Sequence, residues 1–140
     1  MYYHIKIKYN IVNETGKNVT KNEEYLVQNC EFHAEAETKG YEHASTYGFE
    51  NADVTSVKRS KIRELVNENP KEEEIILYDA VIADIFVDEN SGKEKELHYH
   101  VGVYATSVKD ATNNVQEYMR QGISDMRFIA VKETKIVEIL

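Results

Sequence analysis

The chain is poor in the residues that mark several well-known protein classes. It has 140 residues with one cysteine, one proline, six glycines and no tryptophan. The single thiol, Cys30, excludes an internal disulfide and is typical of a reducing compartment. The scattered glycines form no phosphate-binding loop. No apolar run approaches the roughly 20 residues that span a bilayer, and no secretory signal pattern opens the chain. We therefore expect a cytoplasmic protein without a membrane partner.

Basic residues are also in the minority, with 17 Lys and Arg against 25 Asp and Glu. The acidic excess lies in residues 67–140, which carry fifteen acidic and eight basic side chains, whereas residues 1–66 carry ten and nine. This balance excludes bulk attraction to nucleic acid, so any such binding needs a local basic patch. A hydrophobic content of 41% is ordinary for a globular domain of this length.

The second half of the chain repeats the first. Residues 48–66 align with residues 122–140 at a spacing of 74, through a shared Val-Lys-x-Ser/Thr-Lys-Ile pattern. Gly16 and Gly92 occupy equivalent turns at a spacing of 76. We expect a single pseudo-twofold domain over residues 1–140. Its predicted parts are a first repeat at 1–66, a linker at 67–74 and a second repeat at 75–140.

Hydrophobic periodicity predicts the elements within each repeat. Strict alternation predicts a half-buried strand from Tyr3 to Ile11, with the odd-numbered side chains inward. An Ala- and Glu-rich stretch predicts a helix at 33–47, and its equivalent is expected at 110–121. A short fourth strand is expected at 61–65. The predicted fold class is α+β, with tandem β-β-α-β(β) repeats, antiparallel sheets and one helix per repeat.

One predicted strand, residues 78–87, is apolar on nearly both faces. We assign Val81 and Ala83 to its inner row, and Ile82 and Phe86 to its outer row. Such a strand is normally buried on both sides or covered by a partner. We therefore expect it at the centre of the joint sheet or in an oligomer interface formed by Ile82 and Phe86.

Three groupings could carry chemistry. Glu96, His98 and His100 share one face of a predicted strand at a spacing that can chelate a metal, but no fourth ligand is evident, and ordinary exposed strand residues are the alternative. Cys30 has no neighbouring base to activate it. The many carboxylates fall into no recognisable motif. We predict a non-catalytic protein with no cofactor, and the metal question stays open.

Two basic groupings suggest a binding surface instead. The outward row of the first strand alternates aromatic and basic side chains, as on sheets that bind single-stranded nucleic acid. A second group lies in the third strand, and Lys132 and Lys135 repeat two of its positions. Solvated lysines that protect an edge strand are the alternative explanation. The predicted nucleic-acid-binding residues are Tyr2, His4, Lys6, Lys8, Lys58, Arg59 and Lys61.

Several stretches together resemble an uncharacterised family of small two-repeat proteins from gut bacteria, their phages and mobile elements. The stretches are Tyr2–Tyr9, Glu24–Val27, Phe32–Glu37, Asp88–Lys95 and Ile129–Thr134. The family is a domain of unknown function, so the resemblance implies a phage or mobile-element setting, and a host-cell cytoplasm, without supplying catalytic residues. In permuted order the middle of the chain also resembles the β-β-β-β-α unit of Whirly-type single-stranded DNA binders, if 61–65 forms a strand.

The leading functional hypothesis is a non-catalytic phage or mobile-element protein that binds single-stranded nucleic acid. The alternative is a protein–protein accessory, such as a virion component, a host-factor antagonist or a homo-oligomeric subunit, which would use Ile82, Phe86 and the acidic second half. Capture of a small molecule at the seam between the repeats is a third hypothesis.

Overall fold

A computed structural model describes residues 1–122 and 124–140 of the chain. Within these residues each half of the chain runs β-β-α-β-β, which confirms the α+β class and the repeated order of elements. Ile123, which the repeat alignment pairs with Phe49, lies outside the described residues. The strands are β1 (Tyr3–Val12), β2 (Asn18–Val27), β3 (Glu50–Arg59), β4 (Ile62–Leu65), β5 (Ile76–Val87), β6 (Glu94–Ala105), β7 (Asp125–Glu133) and β8 (Ile136–Ile139). The helices are α1 (His33–Thr46) and α2 (Val108–Gln121).

The strands form two four-stranded sheets, and each sheet takes its last strand from the other repeat. The orders are β3-β1-β2-β8 and β4-β6-β5-β7. The chain accordingly divides into unit 1 (residues 1–60 and 135–140) and unit 2 (residues 61–134). The compact units therefore do not follow the boundaries of the sequence repeats, and the predicted linker lies within unit 2.

A short connection explains the exchange of strands. Both β2 and β3 run antiparallel to β1, so they are parallel to each other, and β8 pairs with β2 in parallel. If β4 instead took the place of β8 beside β2, the chain would have to pass from β3 across β1 and β2. That path covers three strand spacings, about 14 Å. Two residues separate β3 from β4, and they span at most about 11 Å. A parallel crossover needs about a dozen residues. The fourth strand therefore pairs elsewhere, and the sheets are mixed rather than wholly antiparallel.

The core of unit 1 lies between α1 and one face of its sheet. It contains the predicted inward row of β1, so that prediction is confirmed. Gly40 lets the helix approach closely, because a Cβ atom there would lie 2.8 Å from Ile5 Cδ1 and 3.0 Å from Val54 Cγ2. The buried residues of this cluster are Tyr3, Ile5, Ile7, Tyr9, Tyr25, Val27, Cys30 and Ala36.

The core of unit 2 uses the row of β5 that was predicted to point outward. Ala80 lies opposite Val101 and Ile82 lies opposite Tyr99, and directly opposite residues share a face of the sheet. Val81 and Ala83, which were assigned to the inner row, lie instead on the other face of the sheet, where Ala83 is fully buried. Both rows are apolar, so alternation alone could not tell them apart. The expected joint sheet is absent, because the described strands form two separate sheets; within its own sheet, β5 lies between β6 and β7. The buried residues are Tyr78, Ala80, Ile82, Val101, Val103, Ala105, Ala111 and Val115.

The two helices begin differently. In unit 2 a two-residue connection precedes α2, and the Ser107 hydroxyl accepts a hydrogen bond from the backbone N–H of Asp110 at 3.1 Å. The Asp110 carboxylate accepts in return from the Thr106 N–H at 3.0 Å. These two bonds satisfy N–H groups at the start of the helix. In unit 1 the connection has five residues, and Phe32 at the cap position provides no side-chain hydrogen bond.

Candidate nucleic-acid interface

The outward row of β1 lies on the face of its sheet opposite α1. Lys6 and Lys8 are exposed there, and Lys58 on β3 lies opposite His4 and is also exposed. The alternation of the strand places Tyr2 on the same side. The structure therefore brings five of the seven predicted residues onto one surface, which we name the lysine face and define by Lys6, Lys8 and Lys58.

His4 occupies the middle of this surface without adding a charge at neutral pH. Its Nε2 atom lies 2.8 Å from Glu24 Oε1, and both side chains are half-buried. Burial lowers the pKa of His4 below 6.5, the adjacent Glu24 carboxylate opposes this effect, and the charges of Lys58 and Lys6 lower the pKa further. The lysine face thus carries three ammonium groups.

Two carboxylates border the lysine face. Glu24 lies opposite Lys6 on β2, and Asp53 lies opposite Lys8 on β3. A third carboxylate, Glu50 on β3, lies opposite Asn10 further along the same outward row, so ammonium groups and carboxylates are equal in number on this side of the sheet, in contrast to the acidic excess of the whole chain.

The other two predicted residues lie elsewhere. Arg59 is opposite Tyr3, so it lies on the same side of the sheet as α1. Lys61 belongs to unit 2. Neighbours in sequence along a strand point to opposite faces, which is why the grouping of Lys58 with Arg59 does not hold in space.

The edge-strand explanation also has structural support. Lys58 lies on β3 and Lys132 on β7, and each of these strands is at the edge of its sheet. Lysines on exposed edges discourage pairing with other chains. Lys58 therefore suits both hypotheses, whereas Lys6 and Lys8 lie on an inner strand and gain nothing from edge protection.

The two predicted interface residues have different environments. Ile82 is fully buried in the core of unit 2, which accounts for its apolar character without a partner. Phe86 is 48% exposed, and Leu97 on the same face of the hairpin is 57% exposed. The Asp84 carboxylate, opposite Leu97, has one buried oxygen without a hydrogen-bond partner among the described residues.

The predicted metal group is occupied by other contacts. Arg127 donates three hydrogen bonds to Glu96, from Nε at 3.2 Å and from Nη2 at 2.8 and 2.7 Å, and His98 lies 3.1 Å from the same carboxylate. Arg127, followed by His98, lowers the pKa of Glu96. His100 pairs with Asp79 at 2.7 Å. Across the described parts of the chain, no group of three or more His, Cys, Asp or Glu side chains is arranged to hold a metal ion.

Cys30 is 1% exposed and its thiol donates to the Gln28 carbonyl at 3.5 Å. This environment is that of a buried core residue, because a reactive thiol requires access and an electropositive setting.

Sequence reasoning missed an aromatic cluster on the helix side of unit 1. Tyr9 and Phe49 stack with ring centroids 3.8 Å apart, and the hydroxyls of Tyr9 and Tyr25 both donate to the Glu23 carboxylate. Burial, followed by the hydrogen bond to Glu23, raises the pKa of Tyr9 to about 12. The only sequence signal was the Glu23-x-Tyr25 spacing, which places both side chains on one face of β2.

The fold defines the chain as an α+β protein of two repeat-like units. It belongs to a family described as a domain of unknown function, DUF4494, which matches residues 1–140. No curated protein matches the chain. Neither helix of the described residues is long and apolar enough to cross a membrane.

Proposed function

We propose that the protein is a non-catalytic binding protein whose lysine face contacts single-stranded nucleic acid. The observation that supports the proposal is the row of exposed lysines on an inner strand, where edge protection does not explain them. We extend the proposal to a phage or mobile-element setting in a host-cell cytoplasm, which rests on the sequence resemblance alone.

The geometry suits an extended polyanion. Alternate residues of a strand are about 6.7 Å apart and neighbouring strands about 4.8 Å apart, so the three ammonium groups can follow one backbone across the sheet. Tyr2 at the end of the row offers a ring on which a base can stack. Three phosphate contacts predict a log–log salt slope of about −2 for a single strand. We expect weak, salt-sensitive binding with little dependence on base sequence.

The test is fluorescence anisotropy with a labelled strand of about 30 nucleotides, which is longer than the ~4–16-nucleotide sites of comparable surfaces. A duplex of the same sequence is the control ligand. The Lys6→Glu/Lys8→Glu variant should lose binding about 100-fold, because it removes two phosphate contacts and adds two repulsive charges. The matched control is Lys17→Glu/Lys21→Glu, with the same change in net charge; Lys17 lies in the β1–β2 turn and Lys21 opposite Tyr9 on the helix side. Equal loss in the two variants, or no binding at low salt, would refute the proposal.

A protein partner is the second candidate, and the exposed pair Phe86 and Leu97 favours it. Both side chains lie on the same face near the end of the β5–β6 hairpin. If this surface carries the function, Phe86→Asp should abolish recovery of a partner from a host lysate while the Lys6→Glu/Lys8→Glu variant retains it. The reverse pattern would favour the lysine face.

A further inference from the structure

A cavity of about 580 Å³ lies beside the β2–α1 connection of unit 1. Its lining consists of Met1, Asn29, Cys30, Glu31, Phe32 and Arg59. The volume falls within the ~300–1,000 Å³ range of small-molecule sites. The cavity is on the helix side of the sheet, away from the lysine face, so an inference about it is independent of the proposed function.

Unit 2 provides an internal comparison that shows how the cavity arises. Its corresponding connection has two residues, whereas the connection in unit 1 has five, Gln28 to Phe32. The position of Arg59, opposite Tyr3, is taken in unit 2 by Glu133, opposite Tyr78. Unit 1 therefore has a connection three residues longer than that of unit 2, and a cation at a position where unit 2 has a carboxylate.

The backbone around the cavity is held in place. The Tyr3 hydroxyl donates to the Glu31 carbonyl at 2.8 Å, and the Glu31 N–H donates to the Glu35 carboxylate at 3.5 Å. Cys30 is buried beneath it. A fixed backbone reduces the conformational entropy that a ligand would otherwise have to overcome.

Two opposite charges at the cavity are free to bind a ligand. Neither the Arg59 guanidinium nor the Glu31 carboxylate has a hydrogen bond or ion pair with another of the described residues. A guanidinium binds a carboxylate through two parallel hydrogen bonds, and a carboxylate accepts from an ammonium group. The Phe32 ring, 64% exposed, adds an apolar surface beside them.

We propose that this cavity binds a small apolar α-amino acid. The ligand carboxylate contacts Arg59, its ammonium group contacts Glu31, and its side chain packs against Phe32 and Met1. No bond is made or broken, and the buried Cys30 takes no part. Because both charged groups are solvent-accessible, we expect a dissociation constant on the order of 1 mM.

The test is an NMR titration of the ¹⁵N-labelled full chain with three probes: L-leucine, N-acetyl-L-leucine and L-leucine methyl ester. L-leucine should shift the amide signals of residues 29–32 and 59 saturably. The acetylated compound lacks the ammonium group and the ester lacks the carboxylate, so each should bind about tenfold more weakly or worse. Three results would overturn the proposal. They are equal shifts with all three probes, the same shifts with acetate as a fourth, control ligand, and no saturable shift with L-leucine up to about 20 mM, which is well above the expected dissociation constant.

Variants locate the site. Arg59→Gln and Glu31→Gln should each weaken L-leucine binding about tenfold. Lys58→Gln is the matched control, because it removes a neighbouring charge on the opposite face of the sheet. If Arg59→Gln does not fold, as its amide spectrum would show, Arg59→Lys keeps the charge and removes the paired hydrogen bonds. Undiminished binding to a folded Arg59 variant would contradict the assignment.

Discussion

Unit 1 and unit 2 have equivalent sheets, β3-β1-β2-β8 in one and β7-β5-β6-β4 in the other, but stabilise them with different polar groups. Unit 1 has two tyrosine hydroxyls on one carboxylate, Glu23, on the helix side of its sheet. In unit 2 the Tyr118 hydroxyl donates to Glu64, and the Arg63 guanidinium lies over the Tyr99 ring at 4.7 Å. Two copies of one framework can therefore be held together by unrelated side-chain networks, provided that the apolar row facing the helix is kept.

The units differ most where β2 and β6 lead into their helices. Unit 2 closes this junction with the hydrogen bonds among Thr106, Ser107 and Asp110, whereas unit 1 has a longer connection beside a cavity. The fold therefore does not depend on the length of this connection, and in unit 1 the connection is available for the ligand proposed above.

The largest expected effect tests whether the two units are stabilised separately. Deletion of residues 135–140 removes β8 and leaves the fully buried Leu26 on an open edge of the unit 1 sheet. We expect unit 1 to lose more than about 3 kcal/mol of stability, while the amides of unit 2 stay protected. Hydrogen exchange measured by mass spectrometry resolves the two units. The control, Val137→Ser at a 58% exposed position, should leave both protected. Equal loss of protection in the two units would show that they unfold as one.

A smaller effect should reveal the contribution of the Glu23 network at high pH. The pKa of Tyr9 is raised to about 12 in the folded state, so the stability that its neutral hydroxyl contributes is complete below pH 10. That contribution is lost as the pH rises from 10 towards 12. We expect unit 1 to weaken over this interval, which a fall in the urea midpoint, followed by far-ultraviolet circular dichroism at each pH, would show.

The variant Tyr9→Phe isolates this network. It removes a hydrogen bond to a carboxylate and should cost about 1.5–3 kcal/mol at neutral pH, with a shallower decline above pH 10. Tyr41→Phe, at an exposed tyrosine outside the Glu23 network, is the control. An unchanged alkaline profile for Tyr9→Phe would show that the Glu23 network does not cause the decline.

The smallest expected effect comes from substitutions at the N-cap residues of the two helices. Ser107→Ala should destabilise unit 2 by about 1 kcal/mol, because the Asp110 N–H loses its acceptor. Phe32→Ser supplies a capping hydroxyl that α1 lacks and should stabilise unit 1 by a few tenths of a kcal/mol up to about 1 kcal/mol. Urea unfolding of both variants against the parent chain measures the two changes. Opposite signs support the comparison, and destabilisation by Phe32→Ser would show that its ring contributes packing.

The sequence predicted the elements well where one row of a strand was polar. The alternation of β1 identified its inward row because Lys6 and Lys8 cannot face a core. Alternation could not do the same for β5, where both rows are apolar. The strand at 61–65 was also predicted. Because only two residues connect it to β3, it cannot reach the place beside β2. Once the order of β3, β1 and β2 is known, chain geometry therefore requires that another strand take that place.

The candidate sites were harder to predict because they depend on register between distant segments. Tyr9 and Glu23 meet only after the β1–β2 hairpin sets its pairing. Arg59 and Lys58 look like one basic group in the sequence, yet strand alternation sends them to opposite faces. The contact of Arg59 with the cavity also requires the packing of the β2–α1 connection, for which the sequence has no periodic signal.

The exchanged strands also determine the sequence of events during synthesis. Domains usually fold in the order in which they leave the ribosome, the N-terminal one first. Here unit 2 is a continuous stretch and is complete once residue 134 has emerged, whereas unit 1 still lacks β8. The strands β1 and β2 therefore wait for β8 until residues 136–139 have been made, and the outer edge of β2 stays unpaired until then.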